Sequence, residues 1–418
     1  MQLLVANFFY FSKKHFASFF IFQKTVFLWT NSFLAMKQSA EKILFELLVR
    51  AISPRRHMDA GESSAVLFNF DRKEWLSVIA LADKSEVLGL AYDAVLTLPK
   101  EQQPDTEVMM HWTAKIQSME RDNLLYRSRL KRCFEVFEEH RLEPILLKGL
   151  TLSDLYPNPL HRPVGDVDLY VTLDRQHRYM QALEAMGGTV DNAYDLKHLS
   201  VQCCGMNWEL HFRGTSFYNG TTNRRYRLLE QEETTADALY HETIEGHTVA
   251  VFPPILKIVF LTAHFQHHLI MEYVTVRQLV DWMLALHQER TALGIAEVNL
   301  IRTLKRLGLF RLYRAMGYVA TRHLGLDSNG YAGLTTFTEK DCQRGEMLYA
   351  ILVNGHPAGC KPYRQRRVSD SVWRRIRHFH ELCKRCLALV SICPQEALAT
   401  PFGFLYYAFK RRLVFLHE

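Results

Sequence analysis

The sequence predicts an α+β protein in which a small mixed β-sheet with helices is embedded between N- and C-terminal helical regions. Three observations support this fold class. Apolar residues recur at helical spacing from Lys37 to His140, short apolar runs separated by glycine and proline follow, and helical spacing returns after Pro253-Pro254. The predicted organisation is an N-terminal extension (1–35), a helical subdomain (36–140), an α/β domain (141–252) and a C-terminal helical domain (253–418).

The first 35 residues differ in composition from the rest of the chain. They hold nine of the 26 phenylalanines and no acidic residue, and lysines interrupt the apolar run. Neither apolar half reaches the roughly 20 residues that span a bilayer. An amphipathic helix is predicted directly after Met36. We therefore expect Met36 to be the true start and residues 1–35 to be an over-extended translation or a disordered extension, with a membrane-surface anchor as the alternative.

Charge and cysteine content favour a cytoplasmic protein over a disulfide-stabilised secreted one. The net charge of +7 is concentrated at the two ends, and the body of the chain is mildly acidic. Eight cysteines show no spacing of a disulfide framework, and Cys383-Lys-Arg-Cys386 matches no standard zinc pattern. Free thiols in a reducing cytoplasm are the expectation.

The α/β domain begins with a change of period. Ile145-Leu-Leu147 is a short apolar run of buried-strand type, followed by Lys148-Gly149 and a helical turn. A strand is predicted over 166–172, a helix over 174–186, and further strands around 199–203 and 207–212.

Asp166 and Asp168 are the first candidate functional pair. Side chains at positions i and i+2 of a strand project from the same face, so the two carboxylates should converge, whereas Val167 and Leu169 should face the core. Glu209 alternates with Trp208 and Leu210 on a second strand, which predicts a third carboxylate on a polar face. Three carboxylates at one place predict a site for divalent cations, with two Mg²⁺ ions expected and Mn²⁺ as an alternative.

Cationic groups lie close by in the sequence. Lys148-Gly149 stands at a strand-to-helix turn, where a small residue lets a phosphate approach closely and the lysine supplies charge. Arg162, four residues before Asp166, is a candidate second cation. Together these features predict a site for a nucleoside triphosphate (NTP).

The ordered motif Leu146-Leu147-Lys148-Gly149, Asp154-Leu155-Tyr156, Arg162 and Asp166-Val167-Asp168-Leu169 resembles that of the uncharacterised bacterial nucleotidyltransferase family. Trp208-Glu209-Leu210-His211 resembles the family's strand with the third acid, and the likeness extends to His264, His268 and Asp281. It implies a nucleotidyltransferase-like fold over residues 36–286, metal ligation by Asp166, Asp168 and Glu209, with Glu209 as third ligand or base, and nucleotide contacts by Lys148 and Gly149. The serine that usually follows the glycine in the wider superfamily is absent, since Leu150-Thr151 stands there.

The sequence thus predicts a cytoplasmic, Mg²⁺-dependent enzyme that transfers a nucleotidyl group from an NTP to an acceptor hydroxyl. Two alternatives stay open: a non-catalytic nucleotide- or protein-binding module derived from the same fold, and a glycosyltransferase that uses Asp166-Val-Asp168. His264 and His268 are expected to be core or interface histidines. Arginines and aromatic residues alternate between Tyr363 and Phe379, so a nucleic-acid acceptor is conceivable, although no nucleic-acid-binding module accompanies them.

Overall fold

The computed structural model describes residues 40–52, 70–172, 174–190, 198–235, 237–361 and 372–414. The expectations for residues 1–35 and for the arginines between 364 and 367 lie outside these ranges. Seven strands form one mixed sheet in the order β3-β4-β5-β2-β1-β7-β6. The strands are β1 (Ile145–Leu146), β2 (Val167–Tyr170), β3 (Thr189–Val190), β4 (His198–Cys203), β5 (Met206–His211), β6 (Tyr240–Ile244) and β7 (His247–Val251).

Helices precede, interrupt and follow the sheet, which confirms the predicted α+β class. Those before it are α1 (40–52), α2 (Arg72–Lys84), α3 (Leu88–Leu96) and α4 (Thr106–Glu139). Those between strands are α5 (Leu150–Ser153), α6 (Gln176–Ala185) and α7 (Gly220–Glu233). Those after it are α8 (Pro254–Met271), α9 (Val276–Gln288), α10 (Arg290–Ile295), α11 (Glu297–Arg306), α12 (Phe310–His323), α13 (Glu339–Asn354), α14 (Val372–Leu389) and α15 (Pro394–Val414).

The long helix α4 belongs to two parts of the molecule. Asp105 caps its N-terminus by accepting a hydrogen bond from the Val108 N–H, and the helix runs for 34 residues from Thr106. Its first half buries Trp112 in the large helical core. Its second half buries Phe134 and Phe137 against one face of the sheet. One helix therefore joins the N-terminal helices to the α/β domain.

The opposite face of the sheet packs on the C-terminal helices. Tyr170 of β2 lies edge-on to Phe252, with ring centroids 5.5 Å apart, and Phe252 lies edge-on to Phe260 of α8 at 5.8 Å. The same core contains Trp75 of α2 and Trp282 of α9, so the two helical regions share one buried interior although the α/β domain separates them in sequence. Within the described ranges, every helix is too short or too polar to span a bilayer.

Two hairpins at the outer parts of the sheet have two-residue turns. Cys204-Gly205 joins β4 to β5, and Glu245-Gly246 joins β6 to β7, with positive φ at all four residues. This is the type I′ geometry, whose twist matches that of paired strands. The sequence prediction identified β4 and β5 but not β3, β6 or β7. Strand β3 has only two residues, and four of the five residues of β6 are not buried, so neither has the apolar pattern of a strand.

Candidate active site

Register between two parallel strands creates the acidic face. Asp168 of β2 pairs directly with Glu209 of β5. The alternate residues Val167 and Leu169, with Trp208 and Leu210, are buried in the core on the other face. Asp168 and Glu209 therefore project from the same face, as the spacing in the sequence predicted.

Asp166 lies one residue before β2 and is the most open of the acids. The Asn207 side-chain amide donates a hydrogen bond of 2.9 Å to Asp166 Oδ1, which fixes the carboxylate beside β5. Partial burial raises the pKa of Asp166, and the negative charges of Glu209 and Asp168 raise it further. A cation bound between these groups would relieve their repulsion.

Asp168 is the buried centre of the cluster, with 1% of its surface exposed. Its Oδ1 lies 2.9 Å from His211 Nε2, and its Oδ2 lies 3.3 Å from Lys148 Nζ. Burial alone would raise the pKa of Asp168, but Lys148 and His211 outweigh burial and hold that pKa at about 2. Asp168 is therefore ionised at neutral pH. Within the described part of the chain, its Oδ2 has no hydrogen-bond partner and forms an ion pair with Lys148.

Lys148 and Gly149 lie in the turn after β1, beside this carboxylate. Gly149 has φ 91° and ψ −119°, a backbone conformation that residues with a Cβ rarely adopt. The turn directs the chain into α5 and leaves open space where a Cβ of Gly149 would lie. Lys148 Nζ lies 3.2 Å from His264 Nε2 of α8 as well as beside Asp168, so a residue of the helical region helps to place the lysine.

Two histidines of α8 line the cavity; the sequence favoured core or interface roles for them over metal binding. His264 Nε2 lies 3.0 Å from His268 Nε2, and His268 Nδ1 lies 2.8 Å from Glu272. Burial lowers the pKa of His264 well below its usual value, and the nearby Lys148 charge lowers it further. His264 is therefore neutral and can accept a hydrogen bond from the Lys148 ammonium group.

Arg162 is buried against the helical region. Its Nε lies 2.8 Å from Asp281 Oδ1 and its Nη2 lies 2.9 Å from Asp281 Oδ2. The Tyr156 hydroxyl also donates to Asp281, at 2.7 Å. Only 4% of Arg162 is exposed, and two of its nitrogens are paired with Asp281.

An open cavity of about 190 Å³ lies between the sheet and the C-terminal helices. Five of the six predicted site residues line it. Glu209 of β5 lies outside this lining, beside Asp168 of β2. Helices α8 and α9 supply the opposite wall. Lining residues from both walls include Lys148, Gly149, Arg162, Asp166, Asp168, His264, His268, Arg277 and Gln278.

The donor set fits Mg²⁺. Three carboxylates share one sheet face, and one oxygen of Asp168 has no hydrogen-bond partner among the described residues. Carboxylate oxygens of this kind, with water and substrate phosphates, are the ligands that Mg²⁺ prefers.

Sequence reasoning missed His198, which lies on β4 directly across from His211 of β5. Only the strand pairing reveals this neighbour.

A mixed sheet that presents three carboxylates beside a lysine-lined cavity is the arrangement expected of a metal-assisted transferase. The family model described as "Uncharacterised nucleotidyltransferase" matches residues 71–325, more than half of the chain, and the chain belongs to that family. This result confirms the resemblance predicted from the sequence and makes the protein a transferase of nucleotidyl groups. Comparison with curated proteins found no match, and comparison with solved structures found none.

Proposed function

We propose that this protein transfers a nucleotidyl group from an NTP to a hydroxyl of an acceptor, with Mg²⁺ and with release of pyrophosphate. The observation that carries the proposal is the in-register pair Asp168 and Glu209, with Asp166 on the same face and Lys148 at 3.3 Å from Asp168. Carboxylates beside a cation and an open cavity suit a reaction in which a polyphosphate must be bound and its charge balanced.

Each side chain of the site has a role in the proposed reaction. Asp166, Asp168 and Glu209 would hold Mg²⁺, which when bound supplies positive charge to the phosphates. Lys148 binds the outer phosphates, because its ammonium group reaches the cavity from the end of β1. The hydroxyl oxygen of the acceptor attacks the α-phosphorus, and Glu209 accepts the proton that this hydroxyl loses. The bond from the α-phosphorus to the bridging oxygen then breaks, and pyrophosphate leaves with the electron pair.

Arg162 is proposed as a second cation near the phosphates. Asp281 occupies its Nε and Nη2, whereas the contacts of Nη1 with the described residues are long, 3.4 Å to Ser153 Oγ and 3.5 Å to the Pro163 carbonyl. Arg162 also lines the cavity. The wall formed by α8 and α9 is the proposed acceptor side of the cavity. A cytoplasmic location, where NTPs are abundant and thiols stay reduced, is part of the same proposal.

Pyrophosphate release from each of the four NTPs with Mg²⁺ tests the proposal. Asp168→Asn should abolish release while the circular dichroism spectrum stays that of a folded protein, with a lower melting temperature because the buried contacts to Lys148 and His211 are weakened. Asp122→Asn, on an exposed position of α4, is the matched control and should behave as wild type. Unchanged turnover in Asp168→Asn would reject the assignment. Tight NTP binding without pyrophosphate from the wild-type protein would favour the non-catalytic module.

A further inference from the structure

Two histidines on neighbouring strands stand beside the acidic face and have no part in the proposed transfer reaction. His198 of β4 pairs across the sheet with His211 of β5, and their ring centroids lie 5.0 Å apart. Since Glu209 is two residues before His211 on the same strand, all three side chains share one face. Register across three adjacent strands therefore assembles an imidazole-rich group next to Asp168.

The distances within this group suit coordination of one ion. His211 Nε2 lies 3.1 Å from Glu209 Oε2 and 2.9 Å from Asp168 Oδ1, and His198 Nε2 lies 3.6 Å from Glu209 Oε1. Ligands at about 2.1 Å from a metal are separated by about 3.0 to 3.5 Å in octahedral or tetrahedral geometry. Atoms of His198, Glu209 and His211 all lie within 4.8 Å of one another, so small side-chain rotations would close the shell.

His198 has a ring nitrogen that is available to bind a metal ion. Its Nδ1 is buried and has no hydrogen-bond partner among the described residues, and its Nε2 faces Glu209 beyond hydrogen-bond distance. The side chain is only 18% exposed, so water satisfies it poorly. Coordination through Nε2 would give this nitrogen a partner.

We infer that His198, Glu209 and His211, with Asp168, bind one divalent transition-metal ion of the class that prefers imidazole ligands, such as Zn²⁺, Co²⁺ or Fe²⁺. Mg²⁺ prefers oxygen ligands throughout, so it fits the outer position near Asp166 and not this one. The inference deepens the proposed function, because Asp168 and Glu209 belong to both sites. The acidic face then holds two different metals, Mg²⁺ near Asp166 and a transition-metal ion at the two histidines.

Cobalt binding in the absence of nucleotide tests this inference. The full chain, stripped with a chelator, is titrated with Co²⁺, and visible d–d absorption reports nitrogen and oxygen ligation. We expect one Co²⁺ per chain, displaced by Zn²⁺ and not by excess Mg²⁺. His198→Gln and His211→Gln should weaken binding about tenfold or more. His241→Gln is the control, because His241 also pairs with a carboxylate, Glu143 at 2.7 Å, but at the far edge of the sheet.

Circular dichroism and melting curves establish that each variant is folded. If His211→Gln unfolds, the Co²⁺ affinity of His198→Gln is the test, since His198 is the more exposed of the two. No cobalt absorption in the wild type, or equal Co²⁺ affinity in the wild type and His198→Gln, would overturn the inference. Because this readout needs no NTP, cobalt binding without pyrophosphate release contradicts only the proposed function. Pyrophosphate release without cobalt binding contradicts only the metal site.

Discussion

Arg162 and Asp281 form a two-point ion pair that joins the loop before β2 to helix α9, with nitrogen–oxygen distances of 2.8 and 2.9 Å. Both residues are at least 95% buried. Burial would raise the pKa of Asp281, but Arg162 and Arg277 outweigh burial and keep that pKa below its usual value. The pair therefore fixes the α/β domain against the helical wall of the cavity.

Loss of one member of this pair should lower the free energy of unfolding substantially. Asp281→Asn leaves the Arg162 charge buried with one neutral partner, and we expect roughly 3 to 5 kcal/mol less stability in urea unfolding. The double variant Arg162→Met, Asp281→Leu should lose less than the sum of the single changes, because the buried Arg162 charge is removed together with its partner and Arg277 keeps its pair with Glu86. Glu107→Gln, which breaks the exposed pair with Arg72, is the control and should leave the urea midpoint nearly unchanged. Additive losses in the double variant would contradict this account.

Lys148 should contribute to substrate binding as well as pairing with the buried Asp168. Lys148→Met removes the cation beside Asp168 and at the cavity, so we expect kcat/KM for the NTP to fall roughly 10- to 100-fold, which equals about 1.4 to 2.8 kcal/mol. Steady-state pyrophosphate release at several NTP concentrations measures this loss. Lys131→Met, on an exposed position of α4, serves as the control. A wild-type kcat/KM in Lys148→Met would show that phosphate binding lies elsewhere.

Gly89 of α3 should tolerate no side chain. A Cβ at this position would collide with the carbonyl oxygen and Cβ of His161, in the loop that leads to Arg162. We expect Gly89→Ala to cost about 1 to 3 kcal/mol through overpacking and to reduce turnover by displacing that loop. Gly294→Ala is the matched control, since Gly294 lies in a helix with open space around it and alanine is the better helix former. Equal melting temperatures for Gly89→Ala and wild type would refute the collision.

Glu230 of α7 should give the fold a pH dependence. Burial raises its pKa from 4.5 to about 7, against the opposing effect of the Gly214 N–H, which donates to it at 2.7 Å. Because the folded-state pKa is the higher one, the folded state favours the protonated form. That contribution is complete below pH 4.5 and is lost as the pH rises to about 7.

Unfolding free energies of wild type and Glu230→Gln, measured across this range, test the assignment. The difference should shift by about 3 kcal/mol in favour of the variant as the pH rises. Glu232→Gln, an exposed neighbour, should show no such shift. A constant difference between wild type and Glu230→Gln would mean that Glu230 titrates normally.

Several features followed from the sequence alone because their causes are local. The two-residue period of a strand fixed the common face of Asp166 and Asp168 and the opposite direction of Trp208 and Leu210. Proline, glycine and the change of period marked where helices give way to the sheet. The motif from Lys148 to Asp168 was specific enough to indicate the nucleotidyltransferase family.

Other features depended on the tertiary structure because their partners are distant in the chain. Nothing near Arg162 in sequence indicates that Asp281, on α9, takes up its charge. His264 reaches Lys148 only because α8 packs on the sheet, and His198 meets His211 only through the register of β4 and β5. Spacing within one segment specifies which residues share a face, whereas the contacts between faces depend on how the whole core packs.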